Sequence, residues 1–547
     1  MIRQHLDTAD ATLAPPAAAQ AAARRIADRP PRGRGAGAAP RARSGLGLAL
    51  ALGPAVLLLV ALLLRWPSFI PSVIDPDEGL YVLQAREWLR GGWPFVAVWD
   101  LHPPGAPALI AGALAAFGET LFAVRLLGAL AVAATGLALH ALVRAAGGPR
   151  LLGLGAGLLY VGSSVTLGGL ATNTEILFAP FVAAAMALGV RAATRLARDG
   201  APPSWAELAP AGLAIGVALT IKPVAAPEGC LAFALLVGPA WWRGVLPAGR
   251  ALAMAGAYAA LCAAPTAALA LAYAAQGEFG TFLDAVILAP MRYVEEPIEA
   301  VRAARITLGA AVTLALPLAL AAVALLPRPR RGARPAAGAP TLARIGVVWL
   351  AVATVAVVAP GRFFQHYFLI WLPPLSLLAA LGARRLARLA PVGRGAAAFA
   401  GLVGAVALDA AAGATAPALL HGIGLREPDP PRRLAALIAA DLPPGEPIYV
   451  VNYHPVTYFL ARAGVPTRFA FPAHLAGRES AVTGLDADAE LARVLASRPR
   501  LMVVDRGRWC ELRPEAAAMV AAALGEAYAL SATVPGERGS VELWRRR

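Results

Sequence analysis

Apolar runs of roughly 20 residues recur along this chain, each long enough to carry a helix across a hydrocarbon core. They lie near 45–65, 122–144, 150–168, 174–192, 207–221, 226–242, 250–274, 305–326, 343–360, 364–382 and 394–412. A sequence that is 58% hydrophobic and 15% charged over 547 residues does not describe a soluble protein. Backbone polar groups in lipid must be satisfied within the segment itself, so the runs predict a polytopic helical membrane protein with about eleven spans.

The formal net charge of +16 does not point to nucleic acid. The basic residues fall in short breaks, among them HALVRAAGGPR, RAATRLARDG, WWRGVLPAGR and ARRLARLAPVGRG, at every second membrane exit, and no stripe with interleaved aromatics is visible. Alternating breaks place the N-terminus in the cytoplasm and the C-terminus outside. Residues 1–44 read as a disordered basic cytoplasmic leader, and the first run, with no small-residue cleavage site behind it, reads as an anchor and not a signal peptide. The stretch from Pro103 to Gly118 is apolar but short, and two prolines stand at its head. It reads as an interfacial or re-entrant helix. The transmembrane domain thus covers residues 45–420, with a large outer loop at 66–121.

Beyond Leu420 the composition becomes soluble. PRRLAALIAADL, ADAELARVLASR and PEAAAMVAAALGEA have helical periodicity, while EPIYVVNYH and RLMVVDR read as strands. Residues 421–547 are therefore expected to form a small extracytoplasmic α/β domain. Of the three cysteines, Cys230 and Cys262 lie in apolar runs and Cys510 is alone, which offers neither a disulfide framework nor a CxxC metal site.

The first outer loop opens with Asp75-Pro76-Asp77-Glu78, just after a membrane span. Asp75 suits a helix N-cap, Pro76 the first helical position, and Glu78 a capping box closed onto Asp75. Capping leaves Asp77 without a structural duty. Downstream, Tyr81, Ala85, Trp88 and Leu89 share one face while Gln84, Arg86 and Arg90 lie elsewhere, so the segment reads as an amphipathic helix lying on the membrane and ended by Gly91-Gly92. Asp100 and His102 return to the same surface, as do Asn173, Glu175, Lys222, Arg292, Tyr293, Arg362 and His366 at outer ends of spans or in outer loops. Each has a structural alternative: Lys222 and Arg362 as snorkelling cations, Asn173 and Glu175 as caps, His366 as an interfacial histidine. Together, carboxylates and cations on the face away from nucleotides suit chemistry on a lipid-linked phosphate. A transporter is the competing class, but its ionisable groups would sit near mid-membrane, often in repeats, and the chain shows neither pattern.

The acidic pair after the first span, the helix ending in Gly-Gly, the Asp100-Leu101-His102-Pro103-Pro104 element, Asn173-Thr174-Glu175, the lone Lys222-Pro223 and the late His366-Tyr367-Phe368 with Leu372-Pro373-Pro374 resemble the GT-C class of membrane glycosyltransferases. The similarity runs over roughly Ala51 to Ala380, and its nearest branch is glycosyltransferase family 39, the protein O-mannosyltransferases and lipid A aminoarabinose transferases. The resemblance implies a bacterial inner-membrane enzyme that takes a monosaccharide from a polyprenyl-phosphate donor to a lipid, glycan or protein acceptor, with inversion. It implies a catalytic carboxylate at Asp77 with Glu78 beside it, and phosphate-facing cations at Lys222, Arg362, His366 and His102. Asp100, Asn173, Glu175 and Tyr367 are then expected to meet sugar or acceptor. The sequence departs at Leu101-His102, where the aminoarabinose branch carries Glu-Lys, and His102 replaces a phosphate-facing cation only when protonated. No cofactor is implied: Asp75-Pro76-Asp77 has the form of a metal-binding DxD, but the proline locks it into a helix start, which weighs against a divalent cation. A lipid-linked glycan polymerase or ligase would share the topology and the donor.

Overall fold

The computed structural model describes residues 52–295, 298–327, 341–421 and 428–547, with the side chains of 415–421 left aside. The expected basic leader at 1–44 and the basic break at 328–340 lie outside the described residues. The membrane part comprises α1 (Gly53–Arg65), α2 (Pro76–Leu89), α3 (Gly105–Phe117), α4 (Leu121–Ala145), α5 (Arg150–Ser163), α6 (Thr174–Asp199), α7 (Trp205–Ile221), α8 (Ala226–Trp242) and α9 (Ala248–Ala275). It continues through α10 (Phe279–Leu283), α11 (Ala289–Val294), α12 (Ala300–Thr313), α13 (Ala315–Leu325), α14 (Leu342–Val358), α15 (Leu372–Ala387) and α16 (Gly395–His421).

Each expected apolar run contains a helix. Among the described residues, six helical segments are long and apolar enough to cross a membrane, and α12 with α13, bent by 77°, makes a seventh if taken as one span. Shorter apolar helices accompany them: Gly53–Phe69, Gly105–Phe117, Arg150–Ser163, Trp205–Ile221 and Leu342–Val358. The protein is polytopic and helical. Pro103 and Pro104 hold the start of α3, and Gly105 lets it approach α7 closely: a Cβ there would stand 2.5 Å from the Thr220 carbonyl oxygen. That contact sets His102 beside the end of α7, where Lys222 follows.

The C-terminal part, expected from sequence to be the soluble domain and called so below, contains α17 (Pro430–Asp441), β1 (Tyr449–Val450), α18 (Val456–Leu460), α19 (Pro472–Leu475), α20 (Ala487–Ala496), β2 (Leu501–Asp505), α21 (Pro514–Ala527), β3 (Tyr528–Pro535) and β4 (Ser540–Arg546). The sheet order is β1-β2-β4-β3. β1 runs parallel to β2, pairing Tyr449 with Met502, whereas β4 is antiparallel to both β2 and β3. The hairpin β3–β4 was not expected from sequence. Most residues of β3 are at least partly exposed, so the strand lacks a regular apolar face to announce it.

One expectation fails in α2. Instead of lying on the membrane with one face exposed, it is buried continuously from Glu78 to Arg86. Leu80 and Leu83 pack into the core of the soluble domain, while Tyr81, Val82 and Ala85 pack with Ile110, Val124 and Val456. The polar side chains turn inward and donate to backbone: Arg86 to the carbonyls of Tyr458 and Ala463 at 2.8 Å, and Gln84 to that of Val98 at 3.1 Å. At Gly79 a Cβ would stand 2.9 Å from the Val456 nitrogen, so α18 sits directly on the first turn of α2. The soluble domain is thereby a wall of whatever site α2 carries.

Candidate active site

The first turn of α2 separates the three acidic side chains. Asp75 caps the helix in extended geometry, and its Oδ1 accepts the Asp77 N–H at 3.0 Å. Glu78 forms no capping box, correcting that expectation. It is buried, accepts the Thr172 N–H at 2.7 Å and meets Arg125 Nη1 at 2.5 Å. Asp77 faces a cavity.

Polar contacts then close a ring through residues far apart in sequence. Asn173 Nδ2 donates to Asp75 Oδ2 at 3.1 Å. Two residues on, Glu175 accepts from Lys222 Nζ at 2.6 Å, and that ammonium stands 4.2 Å from the centre of the Tyr367 ring. Next to Tyr367, His366 Nδ1 lies 3.4 Å from Asp75 Oδ2. Arg65 anchors the segment leading into Asn173 by donating to the carbonyls of Gly169, Leu170 and Ala171 at 2.5, 2.9 and 3.3 Å. Buried ionic groups are tolerated only when paired in this way.

The ring borders two cavities. The first, about 390 Å³, is lined by Asp75, Asp77, Tyr81, Asp100, His102, Tyr293, His366 and Tyr367, with Phe471, His474 and Glu479 from the soluble domain. The second, about 330 Å³, has walls of Pro103, Pro223, Val224, Pro227, Pro290, Val294, Ala356, Ala359 and Pro360, and Lys222 as its cation. Leu101, His102, Tyr293 and Tyr367 line both. A polar chamber and an apolar one therefore share a wall, with an ammonium on the apolar side and carboxylates on the other.

The charges in the polar chamber are pushed apart. Burial would raise the Asp75 carboxyl, but hydrogen bonds from His366, Asp77 and Asn173 hold it below the usual range. Burial and the neighbouring Asp75 carboxylate push Asp77 up to about 7. Two carboxylates with opposite shifts mark one as a fixed charge and the other as a group able to take a proton near neutrality. Asp100 is held low against its burial by His102, whose Nδ1 lies 3.1 Å from Asp100 Oδ2 and 3.5 Å from the Tyr81 hydroxyl. Burial lowers His474 to about 4, which keeps that imidazole neutral where it stands edge-on to Trp99.

Of the residues expected from sequence, Asp77, Asp100, His102, His366 and Tyr367 line the polar chamber, and Lys222 the apolar one. Asn173 and Glu175 stand behind, orienting Asp75 and Lys222. Glu78 lines neither cavity. Nor does Arg362, whose guanidinium donates to the Tyr293 carbonyl at 2.7 and 3.1 Å and lies 3.9 Å from the centre of its ring. Arg292 ties α11 to the soluble domain by donating to the Val482 carbonyl at 2.9 Å. Sequence reasoning missed Tyr81, His474 and Glu479, and no motif signals the last two, because their nearness to Asp77 exists only after the soluble domain docks. No group of three or more His, Cys, Asp or Glu side chains among the described residues is arranged to hold a metal ion.

Residues 101–274 match the family model of the dolichyl-phosphate-mannose-protein mannosyltransferases. The fold is similar to that of ArnT from Cupriavidus metallidurans bound to undecaprenyl phosphate, with a TM-score of 0.59 and 17% identity over 92% of this chain and 98% of that one. The apo state of the same protein aligns with a TM-score of 0.43 and 17% identity over 90% and 98% of the two chains. No curated protein sequence matches the chain. The resemblance to GT-C membrane glycosyltransferases is thus present both in sequence, over residues 101–274, and in fold.

Proposed function

We propose that this protein is an inverting glycosyltransferase that moves a monosaccharide from a polyprenyl-phosphate donor to a lipid, glycan or protein acceptor at the outer face of the bacterial cytoplasmic membrane. The observation that carries the reading is the shared wall between the apolar cavity holding Lys222 and the polar cavity holding Asp77. A prenyl phosphate needs apolar walls for its chain and a cation for its phosphate; an acceptor hydroxyl or amine needs a base on the opposite side of the sugar ring. The match to a family named for a dolichyl-phosphate sugar, and the fold shared with a protein bound to undecaprenyl phosphate, support this donor class.

The chemistry follows from the residue types. A glycosyl phosphate is a good leaving group, so cations that neutralise the departing phosphate replace a general acid. Lys222 fills that role, oriented by Glu175 and Tyr367, and His102 on the common wall adds charge when protonated. Asp77 accepts the proton of the acceptor as it attacks C1 from the far face, which inverts the anomeric centre. A base that titrates near 7 is matched to work at neutral pH. Asp75 stays ionised and holds His366.

Mass spectrometry of polyprenyl-linked sugars in a deletion strain tests the proposal. One polyprenyl-phosphate monosaccharide should accumulate; an unchanged lipid-linked pool would contradict it. Accumulation of lipid-linked oligomers instead would favour a polymerase or ligase. The outer location has its own test, since Cys510 is exposed on the soluble domain. A thiol reagent that cannot cross membranes should label it in spheroplasts, and labelling only after lysis would reverse the topology.

A further inference from the structure

A larger cavity, about 680 Å³, lies beside the Asp77 chamber, and Phe364, Ala473 and Glu479 line both. Its position in the soluble domain is specific. Asn452, on its wall, follows β1 and clamps the end of β2: its Nδ2 donates to the Asp505 carbonyl and its Oδ1 accepts the Asp505 N–H, both at 2.8 Å. The cavity therefore opens at the carboxyl ends of β1 and β2, the parallel pair in this sheet. In open α/β sheets that edge is where ligands bind.

Its charge is specific as well. Arg302 reaches it from the outer end of α12, and Arg478 and Arg538 from the soluble domain. Arg538 is paired with Glu511 at 3.4 Å. Arg478 donates to the Cys510 carbonyl at 3.0 Å, and among the described residues neither Arg478 nor Arg302 forms an ion pair with a carboxylate. Glu479 and Glu511 line the same cavity, so the wall is of mixed charge, and guanidinium groups that form no ion pair there are suited to bidentate capture of a phosphate or carboxylate.

We propose that this vestibule binds the anionic part of the acceptor, a phosphorylated or carboxylated sugar, through Arg302 and Arg478, and presents a neighbouring hydroxyl past Phe364 and Ala473 to Asp77. The inference rests on the glycosyltransferase reading for the purpose of the site but not for its detection. It makes the soluble domain the acceptor-binding half of the enzyme.

Equilibrium binding to the purified full-length protein tests it, with glucose 6-phosphate, glucuronate and glucose as probes. At least one anionic probe should bind at least tenfold more tightly than glucose, and the preferred anion names the acceptor class. The double substitution Arg302→Glu with Arg478→Glu should weaken that binding at least tenfold at an unchanged unfolding midpoint, and the double Lys substitution should restore most of it. Equal binding of glucose, no binding of either anion, or unchanged binding in the double Glu variant would overturn the proposal. Polyprenyl phosphate, titrated separately, reports on the donor reading alone, so the two ideas fail by different results.

Discussion

Asp75 Oδ1 accepts the backbone N–H of Asp77 at 3.0 Å, so the carboxylate that caps α2 and the carboxyl that faces the chamber are held two residues apart in one helical turn. Their duties are separable by substitution. Asparagine caps a helix about as well as aspartate, so Asp75→Asn should insert and fold normally. It does, however, replace the charged partner of His366. Turnover should fall by about tenfold, the worth of one charge-assisted hydrogen bond. Complete loss of transfer in a well-folded Asp75→Asn protein would move the base to Asp75.

Glu78 and Arg125 form a buried ion pair, and Glu78 also receives the Thr172 N–H. Removing one partner of such a pair costs about 3–5 kcal/mol because the other charge is left uncompensated. Glu78→Gln should therefore lower the thermal unfolding midpoint in detergent clearly. A stable Glu78→Gln protein without turnover would return Glu78 to the catalytic set.

Lys222 and Arg362 looked equivalent in sequence, both being cations at outer span ends. The structure gives them different surroundings: Lys222 lines the apolar cavity, while Arg362 is spent on the Tyr293 carbonyl and ring. Lys222→Ala should lower transfer by about 100-fold or more, the cost of a lost donor to developing charge. Arg362→Ala should cost less and act through Tyr293, seen as a changed KM at a largely retained kcat. The reverse order of effects would make Arg362 the phosphate ligand.

That contrast shows how far the sequence could be read. Apolar run length gave the helical class, and Asp75-Pro76 gave the start of α2, because both are local properties of the chain. The expected site residues Asp77, Asp100, His102, His366 and Tyr367 share a chamber because motifs near span ends on one side of the helix bundle meet at one face. What was illegible depends on contacts across hundreds of residues. The α2 helix seemed amphipathic because Arg86 and Gln84 looked solvated, and only docking of residues 458–463 reveals the carbonyls that receive Arg86. Arg125, inside an apolar run, gave no hint that it would claim Glu78.

The rate should depend on pH through Asp77. Burial and the Asp75 charge raise its carboxyl to about 7, so below that pH it is protonated and cannot accept the acceptor proton. Transfer at saturating donor should rise with pH through a midpoint near 7 and then level. A flat profile from pH 5.5 to 8, measured at constant ionic strength, would remove Asp77 from the proton-transfer step.

The most direct measurement of the central claim is acceptor-dependent release of polyprenyl phosphate from a polyprenyl-phosphate sugar by purified wild-type protein and by Asp77→Asn. Asparagine at 77 is nearly isosteric and cannot take a proton. Wild-type protein should release polyprenyl phosphate only when acceptor extract is present, and Asp77→Asn should bind donor with similar affinity yet turn over at least 100-fold more slowly. Full turnover by Asp77→Asn, or no release by the wild-type protein with any polyprenyl-phosphate sugar, would contradict the account.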